Sequence, residues 1–520
     1  MKQQLEPLII PRDQHNVSRK DISPNVLKIL QHLNRHGFIA YIVGGGIRDL
    51  LLGHKPKDLD VVTSATPNQV KKLFRNCRLI GRRFRLAHLH FRDEIIEVAT
   101  FRSAPEDMET AAAQPEEAAP RGEMAFGPVT PVVPETPGRT AADASPPGGG
   151  RRFDSARHMG LVRSDEGMIL RDNLWGTPAQ DAWRRDFTLN ALFYNLQDFS
   201  LIDYVGGLAD IRAGVVRSIG DPSQRFVEDP VRMVRAVRFA AKLDFAIAPE
   251  TWDALLARRN DILKASSDRM YEEILKLFLL GSARPTYLLL RETGLFERIF
   301  PVAAGHLQSE GAESLHRRWL AVCDWIDARI KAGRPVAPAM MYALLFGPLI
   351  GPAEGEVAPG ATSKEHLLDF VTTLAPSVKI PRVVAMDIRH ALDNQWRFKK
   401  TRPAAARRFL RMPAFPLAWE YWQFQLSLEG GDPELTAWWE KLRQGEPVEA
   451  VVSGKGKAGV EVREGSRRRR RRGGRRRRRP GGTNGAPDAP REPASAGTAP
   501  FTGDEDDAFA PPESTYPYEI

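Results

Sequence analysis

A chain of 520 residues, 42% hydrophobic and 27% charged, has room for several domains and a sizeable core. Its two cysteines, Cys77 and Cys323, exclude a disulfide framework and suit a reducing cytosol. Residues 1–20 lack the apolar centre of a signal peptide, and no stretch is long enough to span a membrane, so a cytoplasmic location without membrane contact is expected. The net charge of +10 is local: Arg467 to Arg472 and Arg475 to Arg479 hold eleven arginines, and subtracting them leaves −1.

In chain order, residues 1–22 are polar and read as an arm. The spacing predicts a helix over Val26 to Leu33 and a strand over Phe38 to Val43 that feeds a turn, Gly44-Gly45-Gly46. A short helix follows over Asp49 to Leu52, then a strand over Asp58 to Val62 and a helix over Pro67 to Phe74 with Pro at its start. Leu86 to Phe91 and Glu94 to Thr100 read as paired strands. Residues 104–150 are rich in Pro, Ala, Glu and Gly and cannot bury enough to order themselves. They read as an insertion, because sheet-like sequence resumes at Phe187 to Leu196.

From Asp221 the chain reads as helical, over Glu228 to Leu243, Tyr271 to Leu280, Leu315 to Ile330, Met340 to Leu345, Ser363 to Leu374, and a last cluster from Val383 to about Trp439. Beyond Val451 it is low-complexity, basic and then acidic, and is expected to be disordered. The expected divisions are an arm at 1–22, a head at 23–220, a neck at 221–300, a helical body at 301–450 and a tail at 451–520.

The chemistry gathers in a few runs. Tyr41-Ile-Val-Gly-Gly-Gly-Ile-Arg-Asp-Leu50 places small residues at a helix start, where backbone amides favour a phosphate. Asp58 and Asp60, two apart on a strand, face the same way, and two carboxylates on one face call for a compensating cation. Glu97, within Ile95-Ile-Glu-Val-Ala99, either completes a three-carboxylate metal site or pairs with an arginine such as Arg102. Such carboxylates suit two-metal phosphoryl transfer on a nucleoside triphosphate.

Arg184 and Arg185 offer fork-shaped donors for triphosphate oxygens, or form a solvated charged face; Asn190 either fixes a ribose or holds a loop. In Glu228-Asp-Pro-Val-Arg-Met-Val-Arg-Ala-Val-Arg-Phe239, Val231, Val234 and Val237 form an apolar stripe opposite Arg232, Arg235 and Arg238. Asp229 and Arg232 present an acceptor and a fork to a base edge; the alternative is a cap plus solvated arginines, more so for Arg238.

Arg82, Arg83 and Arg85 surround Phe84 in a run suited to RNA or phosphate, and His88 reads as a hydrogen-bonded structural residue. No His/Cys set has zinc spacing. Trp396-Arg-Phe-Lys399-Lys400-Thr-Arg402, with Arg407, Arg408, Arg411 and Trp419 to Trp422, interleaves cations with aromatics. That suits single-stranded RNA, or else tryptophans that pack helices beneath solvated cations. The arginine tail, with Arg470 and Arg477 at the centres of its two blocks, reads as a salt-sensitive polyanion binder.

These runs, in this order, resemble the class II nucleotidyltransferase superfamily of bacterial poly(A) polymerases and CCA-adding tRNA nucleotidyltransferases. Gly-Gly-x-x-Arg-Asp with Asp-x-Asp, Arg-Arg-Asp-Phe-Thr-x-Asn, and Glu-Asp-Pro-x-Arg-Met-x-Arg-Ala-x-Arg-Phe carry the resemblance. Ile10-Pro-Arg-Asp-Gln-His-Asn-Val-Ser-Arg-Lys-Asp-Ile-Ser23 and Cys77-Arg-Leu-Ile-Gly-Arg-Arg-Phe-Arg-Leu-Ala-His88 look like the poly(A) polymerase branch.

The resemblance implies an α/β head of polymerase-β-like nucleotidyltransferase type, followed by all-α neck, body and tail helices. It implies Asp58 and Asp60 as ligands of two Mg²⁺ ions, with Glu97 beside them. Gly44, Gly45, Arg48, Asp49, Arg184, Arg185 and Asn190 fall in the implied nucleotide pocket, and Asp229, Arg232 and Arg235 on the base-recognition helix. The expected activity is template-independent addition of AMP from ATP to single-stranded RNA 3′ ends; CCA or A addition to tRNA is the alternative. A non-catalytic RNA-binding role is the reading from another class, and the intact Asp-x-Asp speaks against it. RNA-decay or RNA-chaperone proteins are the partners expected at the tail.

Overall fold

The computed structural model describes residues 6–81, 85–103, 162–163, 169–171, 175–309, 311–349 and 378–449. The expected insertion, Arg82 and Arg83, the helix over Ser363 to Leu374 and the whole tail beyond 450, with Arg470 and Arg477, lie outside the described residues.

The head is built on an eight-stranded sheet in the order β1-β10-β9-β2-β3-β6-β5-β4. Its strands are β1 (Leu8–Ile10), β2 (Ala40–Val43), β3 (Asp60–Thr63), β4 (Cys77–Ile80), β5 (Leu86–His90), β6 (Ile95–Thr100), β9 (Leu192–Tyr194) and β10 (Leu201–Asp203), with a ribbon of β7 (Val162–Arg163) and β8 (Ile169–Arg171) apart from it. Within the sheet only β3 and β6 run parallel. Side chains alternate across it: Ile42, Val61 and Val98 enter the main core, whereas Val43, Val62, Phe193 and Ile202 pack on the opposite face with Phe101 and Ala182.

Of the arm expected over residues 1–22, the described part, residues 6–22, is docked on the head. Leu8↔Asp203, Ile9↔Ile202 and Ile10↔Leu201 zip β1 onto the sheet edge, and Ile10, Val17 and Ile22 are buried. Sparse apolar residues in a polar stretch gave little periodicity, yet three anchors suffice to dock an extended segment on an open edge.

Helix α1 (Pro24–Arg35) buries Val26, Ile29, Leu30 and Leu33 at helical spacing, and the Ser23 side chain caps it. Helix α2 (Gly45–Leu51) follows the glycine turn, and α3 (Pro67–Leu73) starts with Pro67 and a Thr66/Gln69 capping box. After β6 the chain returns beside itself: Arg102 bridges Trp175, and the Gly176 amide donates to the Phe101 carbonyl. Helix α4 (Pro178–Trp183) begins there.

The helix expected over Glu228 to Leu243 begins only at Val231: α5 (Gly207–Ala213) is followed by α6 (Pro222–Glu228), which ends at Glu228, and then by α7 (Val231–Leu243). Asp229 between them is extended, at φ −151° and ψ 92°, as a residue before proline prefers. Downstream come α8 (Pro249–Arg258), α9 (Ser267–Phe278) and α10 (Ala283–Glu292), then further helices to Arg443. One apolar cluster runs from Ile10 to Phe424, so no break in packing marks residue 220 or 300. A second cluster joins Phe398, Phe409, Phe415, Trp419, Trp422, Trp438 and Trp439. No described helix is long and apolar enough to cross a membrane.

Candidate active site

Sheet register creates the site. Val43, the residue before the glycine turn, pairs with Asp60 at the start of β3. Gly44 then turns the chain at φ +85°, a conformation that glycine adopts without strain. A side chain there would stand 3.9 Å from Asp60 Oδ2 and 3.7 Å from Arg185 Nη1, so turn, carboxylate and guanidinium face one space. Gly46 is small for another reason: a Cβ would lie 2.6 Å from Leu59 Cδ2 and 2.9 Å from the Asp58 carbonyl. That close approach holds the Asp58–Leu59 loop against α2.

Asp58 lies in the loop before β3, where the sequence predicted strand. Even so its charge acts on Asp60. Asp60 is open to solvent on one side but otherwise surrounded by protein. Burial first, then the carboxylates of Glu97 and Asp58, push its carboxyl up to about 6, against the pull of Arg185. The parallel register Val61↔Val98 sets Glu97 one step before Val98, level with Asp60 on the neighbouring strand. Glu97 Oε1 is 3.3 Å from His88 Nε2, its cross-strand partner.

Among the described residues, no three His, Cys, Asp or Glu side chains form a ready-made metal cluster, and no side chain donates a hydrogen bond to the carboxylate of Asp58 or Asp60. The donor set nonetheless fits a divalent cation: hard carboxylate oxygens, no competing donor, and mutual repulsion that a cation relieves.

Arg185 is aimed by three contacts. Its Nε and Nη2 donate to Asp181 Oδ2 at 3.1 and 2.9 Å, Nη1 donates to the Asn190 carbonyl at 3.3 Å, and the guanidinium lies 5.6 Å from the Phe193 ring centroid. Arg184 Nε donates to the other Asp181 oxygen at 3.2 Å. Asp181 is buried, yet these arginines hold its carboxyl below the usual range. The two arginines are therefore partly buried and anchored. Arg225 fastens their backbone, donating Nη2 to the carbonyls of Arg184 and Arg185 at 2.6 Å each. Burial and then the neighbouring Arg232 lower the Arg225 guanidinium to about 10.

Arg48, only 3% exposed, donates Nε and Nη2 to Asp49 Oδ1 and Nη1 to Asn190 Oδ1 at 2.7 Å. A side chain on Gly45 would press on this guanidinium, at 3.2 Å from Nη2. From Asn190 the network continues. Asn190 Nδ2 donates to Asp186 Oδ1, Arg235 donates to Asp186 Oδ2, and Glu273 accepts from both Arg235 and Arg238. One polar chain thus joins α2 to α7 and α9. Arg238, read from sequence as solvated, is buried beside Glu273 with its guanidinium 4.4 Å from the Phe239 ring centroid.

At the junction of α6 and α7, Asp229 accepts both arms of Arg269, while Arg232 Nη1 donates to Glu228 Oε2 and to the Arg225 carbonyl, each at 3.0 Å. Asp229 and Arg232 are thus each engaged separately. The sequence reading missed Asp181, Asp186, Arg225, Arg269 and Glu273. Asp186 stands inside a quoted motif and Asp181 just before it, but only pairing in space gives these five a role.

In the C-terminal helices, Lys399, Lys400, Arg407 and Arg408 are exposed as expected. The stacking reading of Trp419 to Trp422 is corrected: Trp419, Tyr421 and Trp422 are buried, because their helix Phe415–Glu429 turns its rings into apolar clusters.

Residues 40–217 match the Poly A polymerase head domain, 244–307 the probable RNA and SrmB-binding site of polymerase A, and 361–479 the polymerase A arginine-rich C-terminus. Poly(A) polymerase I of Salmonella typhi is 40% identical over 452 residues, covering 85% of this chain and 87% of that protein. The CC-adding tRNA nucleotidyltransferase of Halalkalibacterium halodurans is 30% identical over 277 residues, covering 53% and 54%. Among solved structures, the Bacillus stearothermophilus CCA-adding enzyme in complex with CTP aligns with a TM-score of 0.50 at 25% identity, covering 81% of this chain and 82% of that one. Nucleotidyltransferase architecture is thus shared with the tRNA enzymes, and extended identity lies with the tailing enzymes: the chain belongs to the poly(A) polymerase family of nucleotidyltransferases.

Proposed function

We propose that this chain adds AMP residues from ATP to the 3′ ends of single-stranded RNA without a template. The observation that carries the reading is Asp60 set beside Gly44 and Arg185, with the charges of Asp58 and Glu97 at hand. The RNA 3′-oxygen forms a bond to the α-phosphorus, the bond from that phosphorus to the bridging oxygen breaks, and pyrophosphate leaves as the hydroxyl proton passes to solvent.

Arg184 and Arg185 bind the triphosphate, held in place by Asp181 and Arg225. The Gly44–Gly45 backbone leaves room for the phosphates, and Arg48, Asp49 and Asn190 frame the sugar. Asp229 and Arg232 read the base, with Arg235 fixing their helix against Asp186. Asp58 and Asp60 would hold Mg²⁺, with Glu97 adding charge at the edge. Two bound Mg²⁺ ions would lower the pKa of the attacking hydroxyl and neutralise the departing pyrophosphate.

The exposed cations of the C-terminal helices and the arginine tail hold the RNA strand, and the tail offers a surface for RNA-decay or RNA-chaperone proteins. Two free, buried cysteines support a reducing, cytoplasmic setting. The test is incubation of the purified chain with an unstructured RNA, Mg²⁺ and each nucleotide separately. A long ladder with ATP alone is expected. Incorporation of CTP with a short fixed stop on tRNA would replace this reading by CCA addition.

A further inference from the structure

Of the ten tryptophans, only Trp183 and Trp396 are exposed, and Trp396 stands in a field of cations. The neighbouring aromatics Phe398, Phe409, Phe415, Trp419, Trp422, Trp438 and Trp439 are all buried in one cluster. Trp396, on the helix Gln395–Phe398, is left outside that cluster at 36% exposure. Lys400 Nζ lies 4.1 Å from its ring centroid and the Arg397 guanidinium 4.8 Å. The two cations differ. Arg397 is fixed by Asn394 Oδ1 at 2.7 Å and by a second ring, Phe409, at 5.4 Å. Lys400 is exposed and has no carboxylate partner among the described residues.

The charge around this ring is one-sided. No Asp or Glu occurs between Asp393 and Glu420. Lys399, Lys400, Arg402, Arg407, Arg408 and Arg411 are exposed, and none forms an ion pair among the described residues. Trp419 and Trp422, the more obvious stacking candidates from sequence, cannot serve because their faces are packed.

We infer that Trp396 is a stacking platform for one base of single-stranded RNA, with Lys399, Lys400 and Arg402 on the adjoining phosphates. An exposed ring face amid unneutralised cations has the two chemistries such a strand needs. Lys400 is the group a base displaces, and its ammonium then turns to a phosphate. Arg397, fixed by Asn394 and Phe409, keeps its cation–π contact. The platform deepens the tailing function, on which it rests: it retains the RNA body while the 3′ end turns over at Asp60.

The test uses the full chain and a short fluorescein-labelled oligoadenylate, read by anisotropy at low and at raised salt. Trp396→Ala is expected to weaken binding roughly tenfold at raised salt, where stacking outlasts electrostatics, and Trp396→Phe to keep most of the affinity. Lys399→Gln with Lys400→Gln should lose affinity chiefly at low salt. In tailing assays Trp396→Ala should raise KM for RNA while leaving kcat at saturating RNA and KM for ATP unchanged. If the alanine variant folds poorly by circular dichroism, Trp396→Gln decides by the same criterion. Unchanged affinity at raised salt overturns the platform. The wild-type chain is assayed for extension in parallel. Trp396-dependent binding without extension removes the enzymatic reading and leaves the platform, whereas extension with Trp396-independent binding does the reverse.

Discussion

Arg269 of α9 donates Nη1 to Asp229 Oδ1 at 2.9 Å and Nη2 to Oδ2 at 2.8 Å, so the carboxylate proposed to read the base is held by an arginine forty residues away. Burial alone would raise the Asp229 carboxyl; Arg269 holds it below the usual range, as a charged, oriented acceptor. Arg269→Ala leaves that acceptor free to rotate. Bidentate charged pairs contribute about 1.5–3 kcal/mol, so KM for ATP should rise about tenfold or more and discrimination against other nucleotides should fall. Single-nucleotide kinetics with ATP, GTP and CTP would read this. An unchanged preference would show that Arg269 acts on folding alone.

Asp186 and Arg235 tie the segment after α4 to α7, and the titration of Asp186 sets an acid limit. Burial opposes ionisation of Asp186, but Arg235 and its hydrogen bonds, with help from Asn190 and the Phe187 amide, hold its carboxyl well below the usual range. A depressed folded pKa means that the stabilisation is present above the unfolded value of about 3.9 and is lost as pH falls below it. Thermal unfolding should therefore move to lower temperature below about pH 4. Asp186→Asn should cost on the order of 3 kcal/mol at neutral pH and flatten this acid dependence. A variant with the same pH profile as wild type would place the acid-labile pair elsewhere.

The strands and helices of the head were legible because period-two and period-3.6 patterns survive wherever one face is buried. Val43 and Val62, Ile42 and Val61, and the Val26–Leu33 stripe all fall where the pattern puts them. Strand β1 was hidden, since three apolar residues make too short a run and their partner, β10, lies some 190 residues on. Individual site residues showed in the motifs, but their couplings did not. Nothing local says that Arg269 meets Asp229, or that Glu273 gathers Arg235 and Arg238. The aromatic helices stayed open between two readings for a related reason: residues 415–429 are apolar around most of the helix, so sequence could not separate rings that pack from rings that stack.

Asp60 carries a strain that its replacement should expose. Its carboxyl is raised to about 6 by burial and by the Glu97 and Asp58 charges, so at neutral pH the ionised group opposes folding. The folded form binds a proton more tightly than the unfolded one, and stability falls as pH rises from about 4 toward 6. Asp60→Asn should abolish RNA extension yet raise the melting temperature in metal-free buffer. Added Mg²⁺ should stabilise the wild-type chain and leave the variant unmoved. Retained turnover, or a lower melting temperature in the variant, would remove Asp60 from the catalytic pair.

Within the C-terminal helices, stability and RNA affinity reside in different residues. Trp439 is fully buried, touches the rings of Phe398 and Phe409, and donates its indole N–H to the Phe398 carbonyl at 2.9 Å. Trp439→Ala removes that packing and leaves the carbonyl without its donor, so it should cost roughly 3–5 kcal/mol by denaturant titration. Arg407 and Arg408 are exposed on the helix Pro403–Leu410, with Ala406 and Phe409 inward. Changing both to Gln should leave the melting temperature within about a degree, since isolated surface charges add little stability. Each phosphate contact on a single strand adds about 0.7 to the slope of log affinity against log salt, so the double change should lower that slope by about 1.4. A double variant with an unaltered slope would mean that the strand runs elsewhere on the surface, because a cation that meets a phosphate cannot be removed without changing counterion release.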